Sequence, residues 1–317
     1  MNYPDLSVII CTYNRCESLK TVLEDLKKQR FPEKRFPWEV LVVDNNSRDG
    51  TRGLAEGCAA SGELPLRYIF EPVQGKSFAI NTAILAARGD LLAFTDDDVV
   101  LDEHWLSSVY RAFSDYPYDC FGGKVLPILE APLPPWLSAD DKKYQMMAGP
   151  IVSHDRGDEI KAYDDTMWVP IGANTFVRKR VFEKVGYYNT QLGLLSREAL
   201  ICGEDSEMMF RIKNAGETIL YYPKALVYHP APADRMKKSY FKKWFWGSGR
   251  GETRWQTVGP NGVRYLNVPR YLFRELGEEF LRWIITLPGR KEYKKFYHEM
   301  HFLYKLGVIY EYYMEGD

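Results

Sequence analysis

Short apolar runs alternate, along the N-terminal part of the chain, with polar turns and with segments whose apolar residues recur three and four positions apart. Leu6 to Cys11 has the length of a buried strand and ends in Thr12-Tyr13-Asn14-Arg15. Glu17 to Lys28 follows, with Leu19, Val22, Leu23 and Leu26 at helical spacing. Trp38 to Val43 repeats the strand and ends in Asp44-Asn45-Asn46-Ser47, ahead of a small-residue helix from Arg52 to Ala60. A third strand, Leu66 to Phe70, and a third helix, Ser77 to Arg88 with Gly89 as its C-cap, precede a fourth strand that starts at Leu91. Strands separated by single helices imply parallel pairing through right-handed crossovers, hence an α/β fold with a doubly wound sheet and helices on both faces.

The fourth strand runs straight into Asp96-Asp97-Asp98. In open α/β sheets ligands bind beyond the carboxyl ends of the strands. Adjacent carboxylates repel by roughly 1 kcal/mol per pair even at the dielectric of water, and more inside a protein, so something must offset them. A divalent cation, Mn²⁺ or Mg²⁺, held together with substrate phosphates suits such hard oxygen ligands. The plainer alternative is a solvated loop in which Asp102 caps a helix from Glu103 to Ser114.

Cys120 to Val125 is another strand, and residues 127–165, broken by Pro127, Pro132, Pro134 and Pro135, form a long excursion of the kind that serves as a lid or binding loop. Trp168 to Asn174 and Thr175 to Arg178 return to the sheet, followed by a helix near Lys179 to Val185. Gly203-Glu204-Asp205 opens a helix, Ser206 to Ala215, whose acidic first turn suits the helix dipole. Thr218 to Tyr222 and Ala225 to Tyr228 are short strands, the second ending at His229-Pro230. Pro230-Ala-Pro232-Ala reads as a hinge, which divides the chain into residues 1–230 and a helical region, 231–317. There Tyr240, Phe241, Trp244 and Phe245 line one helix face and Lys238, Lys242 and Lys243 the other. That is the composition of a helix at a membrane surface, or of one that packs on the catalytic domain, an acceptor or a second subunit.

Composition narrows the partners. Lys+Arg 42 against Asp+Glu 43 leaves no bulk field to attract nucleic acid. The five cysteines, Cys11, Cys16, Cys58, Cys120 and Cys202, have neither metal-ligand spacing nor a disulfide pattern, which fits free thiols in the cytoplasm. No leader pattern opens the chain and no stretch of about 18 apolar residues occurs, so any membrane contact is expected to be peripheral, at the inner face of the plasma membrane.

Several signatures fail. Gly75-Lys76-Ser77 lacks the earlier glycine of a phosphate-binding loop, Gly247-Ser-Gly249 lacks the third glycine of a dinucleotide fingerprint, and His298 and His301 lack zinc-protease spacing. One rival fits: a strand followed by Asp96-x-Asp98-x-Val100 has the shape of the nucleophile motif of haloacid-dehalogenase-like phosphatases, with Asp96 phosphorylated. That motif normally opens its domain, and here other βα units precede it.

Cys11-Thr-Tyr-Asn-Arg15, Val43-Asp-Asn-Asn-Ser-Arg-Asp-Gly-Thr51, Gly75-Lys-Ser-Phe-Ala79 with Asn81, Gly89-Asp90 before the strand ending in Asp96-Asp97-Asp98, Gly172-Ala-Asn174, Gly203-Glu-Asp205, and Tyr222-Pro223 with His229 occur in order. Together they resemble family 2 glycosyltransferases of the GT-A fold, over roughly residues 5 to 230. The resemblance implies metal-dependent transfer of a hexose from a nucleotide diphosphate sugar, a UDP-sugar first, to an acceptor hydroxyl on a glycan or lipid-linked carrier, with inversion. It places Thr12, Tyr13, Asn14, Arg15 and Asp44 at the donor, with Tyr13 stacking on the base and Asp44 accepting its hydrogen bonds. Lys76, Asn81, Asp96, Asp97 and Asn174 are further donor contacts, and Asp96, Asp98 and His229 are metal ligands. Asp205 matches the catalytic base. Glu204, its neighbour, is expected to point elsewhere, toward donor or acceptor. Where the family often has Ala-Arg-Asn this chain has Ala79-Ile80-Asn81, so Lys76 is expected to supply the missing positive charge. A scaffold that binds sugar nucleotides without transfer and recruits partners through its C-terminal helices is the non-enzymatic alternative, and those helices are also a candidate route to a homo-oligomer.

Overall fold

The computed structural model describes residues 4–31, 36–137, 146, 149–164, 169–192, 203–255 and 263–314. Trp168 and Cys202 lie outside them. By their contacts the residues fall into two units, one of Met1–Ile128, Val152–Gln191 and Glu204–Pro230, the other of Leu129–Ile151, Leu192–Gly203 and Ala231–Asp317.

The first unit is built on a mixed sheet. Its parallel half is β1 (Leu6–Thr12), β2 (Trp38–Asp44), β3 (Leu66–Phe70) and β4 (Leu91–Asp96), joined through α1 (Cys16–Lys27), α2 (Thr51–Ser61) and α3 (Lys76–Ala86). Then come β5 (Val100–Leu101), α4 (Trp105–Asp115), β6 (Cys120–Leu129), β7 (Lys161–Ala162), β8 (Asn174–Arg178), α5 (Arg180–Val185), α6 (Glu204–Asn214) and β9 (Ile219–Ala231). The sheet order is β3-β2-β1-β4-β8-β6-β9-β5, with β7 on β9. β8 runs antiparallel to both β4 and β6, so the doubly wound half gives way to an antiparallel one.

The strands are apolar on both faces because both are covered. Val8, Ile10, Val40, Val42 and Ala93 join one core with α1, α2 and α4; Ile9, Leu41, Val43, Leu92 and Phe94 join the other with α3, α5 and α6. This period-2 division is what a sheet sandwiched between helix layers requires.

Several predicted boundaries move. The two short strands around Pro223 are one strand, β9, because the proline is tolerated inside it. Trp168 to Asn174 does not form a strand over its described part: Asn174 N–H donates to the Ile171 carbonyl in a turn, and pairing starts at Asn174. α3 ends at Ala86, with Ala87 extended at its cap, so Gly89 is not the C-cap. A Cβ there would lie 2.9 Å from the backbone of Leu6, and this close approach to β1 accounts for the glycine. Asp102 accepts from the His104 N–H and the helix starts two residues later than predicted, at Trp105.

The second unit holds α7 (Lys238–Thr253), a hairpin of β10 (Arg264–Tyr265) and β11 (Val268–Pro269), α8 (Arg270–Thr286) and α9 (Glu292–Met314). The aromatic face of α7 is not left open. Phe241 packs edge-on against Trp136, which does the same with Phe296 of α9. Lys238 and Lys242 pair with Glu292 and Glu299 of α9. The membrane-surface reading of α7 is therefore replaced by packing inside this unit, since its apolar face and two of its lysines have partners. Gly247-Ser-Gly249 also finds its reason here: a Cβ on Gly249 would lie 2.1 Å from the Tyr304 carbonyl of α9. Among the described residues no helix is long and apolar enough to cross a membrane.

Candidate active site

Strand register assembles the site. Thr12 of β1 pairs with Asp44 of β2 and Cys11 with Asp96 of β4, so three strand ends stand side by side. Thr95 pairs with Asn174, which brings the Gly172-Ala173 turn against the end of β4. Val100 pairs with Tyr228, which sets His229 beside Asp98. α6 begins at Glu204, earlier than predicted, so both acids occupy its first turn, where free N–H groups favour negative charge.

Lys76, in the first turn of α3, is the centre. Its Nζ lies 3.3 Å from Asp96 Oδ1, 3.7 Å from Glu204 Oε1 and 3.8 Å from Asp205 Oδ2. Glu204 thus faces the same lysine as Asp205, contrary to the expectation that neighbouring residues would diverge. Arg15, from the loop after β1, bridges Asp97 at 2.9 Å and Asp98 at 2.6 Å. Five carboxylates (Asp96, Asp97, Asp98, Glu204, Asp205) therefore face two fixed cations (Arg15, Lys76).

The excess of acid shows in the protonation equilibria. Burial raises Asp205 to about 6, against the pull of Lys76 and with a push from Glu204 and Asp96. Its Oδ2 also accepts from the Gly172 N–H at 3.2 Å, and a Cβ at position 172 would come 2.3 Å from that oxygen. Burial likewise takes Asp97 up to about 6, with Arg15 opposing. Asp96 is buried too, but Lys76, with a smaller pull from Arg15, outweighs burial and holds it below the ordinary carboxylate range. Burial disfavours the Lys76 ammonium, yet Asp205, Asp96 and Glu204 overcome it and keep the lysine charged.

Asp96, Asp98 and His229 each offer a ligand atom within 4.8 Å of the others. His229 Nδ1 donates to the Pro230 carbonyl at 2.9 Å, which fixes the ring so that Nε2, the atom a metal would take, faces Asp98 Oδ1 at 3.4 Å. Two carboxylates and a neutral imidazole, amid surplus negative charge, fit Mn²⁺ or Mg²⁺.

The other sequence-predicted residues divide. Asp44 is buried and accepts from the Ser47 N–H and the Tyr68 hydroxyl, both at 2.9 Å. Asn14 takes a left-handed backbone, φ 52°, and its side chain and N–H interlock with Arg48 and Ser47. Tyr13 is 40% exposed. The buried Thr12 hydroxyl lies beside Asp97 with no partner of good hydrogen-bond geometry among the described residues. Asn81 and Asn174, expected at the donor, are structural: Asn81 holds the backbone of Tyr188 through both ends of its amide, and Asn174 is spent on Lys124, Ala225 and Trp105. Three contributors were not singled out. Gly172 lay in a quoted motif but offers only a backbone N–H, Ser47 sat among polar loop residues, and Tyr68 lies on a strand whose pattern says nothing of Asp44.

Comparison with known proteins agrees with this geometry. The family description "Glycosyl transferase family 2" matches residues 7–198. Glycosyltransferase AglE of Haloferax volcanii is 29% identical over 240 residues, covering 75% of this chain and 71% of its own. Succinoglycan biosynthesis protein ExoM of Rhizobium meliloti is 25% identical over 260 residues, covering 82% and 77%. In fold, the chain is similar to a mannosyltransferase from Pyrobaculum calidifontis solved with GDP-Man and Mn²⁺, with a TM-score of 0.56 at 17% identity over 100% of this chain and 74% of the other. Residues 1–349 of S. aureus TarS with UDP-GlcNAc give 0.55 at 17% identity, over 96% and 92%. These findings set aside the phosphatase and the non-enzymatic scaffold.

Proposed function

Because this chain belongs to glycosyl transferase family 2 and is thereby a nucleotide-sugar glycosyltransferase, we propose that it transfers a hexose with inversion from a nucleoside diphosphate to an acceptor hydroxyl in glycan or polysaccharide synthesis. The observation that carries this reading is the Lys76 cluster, in which a carboxyl near neutrality, Asp205, stands across one lysine from the Asp96, Asp98 and His229 group. Asp205 takes the proton of the acceptor hydroxyl. The acceptor oxygen forms its bond to the anomeric carbon as the bond from that carbon to the phosphate oxygen breaks, and the nucleoside diphosphate leaves with the electron pair. Lys76 orients Asp205, and Glu204, on the same lysine, contacts donor or acceptor. Asp96, Asp98 and His229 would hold Mn²⁺ or Mg²⁺, which when bound offsets the charge of the leaving diphosphate. Arg15 has a 38% exposed side chain and a guanidinium already beside Asp97 and Asp98, so it lies where a diphosphate would meet it. Tyr13 offers a stacking face and Asp44 hydrogen-bond acceptance to the nucleoside, with Thr12 and Asn14 shaping the same loop.

The acceptor is a glycan or lipid-linked hydroxyl, and a UDP-sugar is the first donor to test, with GDP-sugars beside it. The experiment is a thermal-shift screen of UDP- and GDP-sugars with Mn²⁺, followed by measurement of nucleotide release with candidate acceptors. Stabilisation by a nucleotide sugar, with release that depends on both acceptor and Asp205, is the expected result. Release that needs no acceptor, or that persists in Asp205→Asn, contradicts the reading.

A further inference from the structure

We infer that the outer face of α8, with the tip of the hairpin before it, is a surface that docks on anionic lipid. The inference is independent of the sugar-transfer chemistry and concerns only the second unit. Leu272 is the only fully buried side chain of α8, whereas Phe273, Leu281, Ile284 and Ile285 are exposed at positions that share one helical face, and Phe280 at its edge also meets the Phe302 ring of α9. Ile285 at 76% and Leu266 at 74% are the most exposed large apolar side chains among the described residues. Soluble chains scatter single apolar residues over their surface, but a continuous stripe marks a contact.

Leu266 adds an independent sign. It and Asn267 form the two-residue turn between β10 and β11, both with positive φ, 49° and 63°. Asn and Gly fill such turns without strain, and a leucine there costs stability. Leu266 returns no burial for that cost, so the fold does not explain it. A side chain that inserts into the apolar edge of a bilayer does.

Charge decides between a bilayer and a second copy of the chain. The acids of α8 are spent: Glu275 on Lys305 of α9, Glu279 on Arg282, and Glu278 between Arg274 and Arg282 at 3.7 Å each. Arg270 at the start of α8 and Arg290 just beyond its end have no carboxylate partner among the described residues. A two-fold contact would press this cationic rim against itself, whereas anionic headgroups would neutralise it while the apolar stripe enters the acyl boundary. The arginine stems are long enough to reach headgroups from such a position. At 17 residues, with charges along its length, α8 would lie in the interface and not across it.

The test is flotation of the full chain with vesicles of phosphatidylcholine alone or mixed with phosphatidylglycerol, at low and high salt, beside sedimentation velocity without lipid. Binding to the anionic vesicles that weakens as salt rises is expected. Leu281→Glu with Ile285→Glu should weaken it about tenfold or more while leaving the melting temperature and the nucleotide-induced thermal shift unchanged. Arg270→Glu with Arg290→Glu, which leaves every apolar contact in place, should also weaken it. Absence of binding to both kinds of vesicle overturns the inference. So does a dimer that the Leu281 and Ile285 changes dissolve, because the face would then be a subunit contact.

Discussion

Two charge networks show what distinguishes a site from a strut. In the helical unit Glu311 of α9 is 4% exposed and lies between Arg250 Nε at 2.6 Å and Arg254 Nε at 2.7 Å, both from the C-terminal part of α7 and its cap. One acid meets two cations at hydrogen-bonding distance, and the group is closed. At the strand ends one lysine faces three acids at 3.3 to 3.8 Å, so a single positive charge is divided among three carboxylates. The first network joins helices. The second holds negative charge that a folded chain alone would be more stable without, and such unspent electrostatic energy is what a cation and a diphosphate can use.

The sharpest break in the comparison is Asp205→Asn. The amide keeps the shape and loses the proton acceptor, so transfer should slow by roughly 10² to 10⁴-fold with donor binding retained. In the native protein kcat/KM should rise with pH through about 6, because Asp205 must be deprotonated to act and its carboxyl is lifted to that value by burial and by Glu204 and Asp96. A pH–rate profile that stays flat between about 5 and 7 would place the base elsewhere. Glu311→Gln should do the opposite: it leaves two arginines without their acid, costs about 3 kcal/mol of stability in denaturant titration, the low end for a buried pair because the arginines are partly exposed, and leaves nucleotide affinity unchanged.

A smaller effect separates the two networks by sign. Asp205 has a folded-state pKa above its unfolded value, so its contribution favours the folded state below the unfolded pKa and is lost as pH rises through about 6. Asp205→Asn should therefore raise the melting temperature at pH 8. The gain is about 1 kcal/mol, or about 2–4 °C, once the partial exposure of the carboxylate is allowed for. It should shrink as pH falls toward about 4. A melting temperature lower than wild type at pH 8 would make Asp205 a structural partner of Lys76.

The parallel half of the fold was legible because Leu6 to Cys11, Trp38 to Val43 and Leu91 to Thr95 are covered on both faces and are therefore mostly apolar, with Ser7 and Glu39 hydrogen-bonded to each other. The antiparallel half was harder to read. Pro223 suggested a break, but β9 passes through it, and Trp168 to Asn174 looked like a strand because an apolar run carries no sign that a turn must deliver the Gly172 N–H to Asp205. At the site, Asp96, Asp98, Asp205 and His229 stood out by type and order. Asn81 and Asn174 stood out as well, yet sequence does not distinguish an amide that meets a ligand from one that holds Tyr188 or Trp105. Lys238, Lys242 and the aromatic residues of α7 showed an amphipathic helix but not its partner, which lay about fifty residues further on, in α9.

The central claim is that the surplus acid at the strand ends exists to bind a divalent cation and, with it, a diphosphate. Calorimetric titration of Mn²⁺ into wild-type protein and Asp98→Asn, each with and without UDP or GDP, tests it most directly. The account predicts that wild type binds Mn²⁺, that Mn²⁺ and nucleotide strengthen each other's binding, and that Asp98→Asn loses at least about tenfold in both affinities. Equal Mn²⁺ affinity in the two proteins, or nucleotide affinity that ignores Mn²⁺, would contradict it.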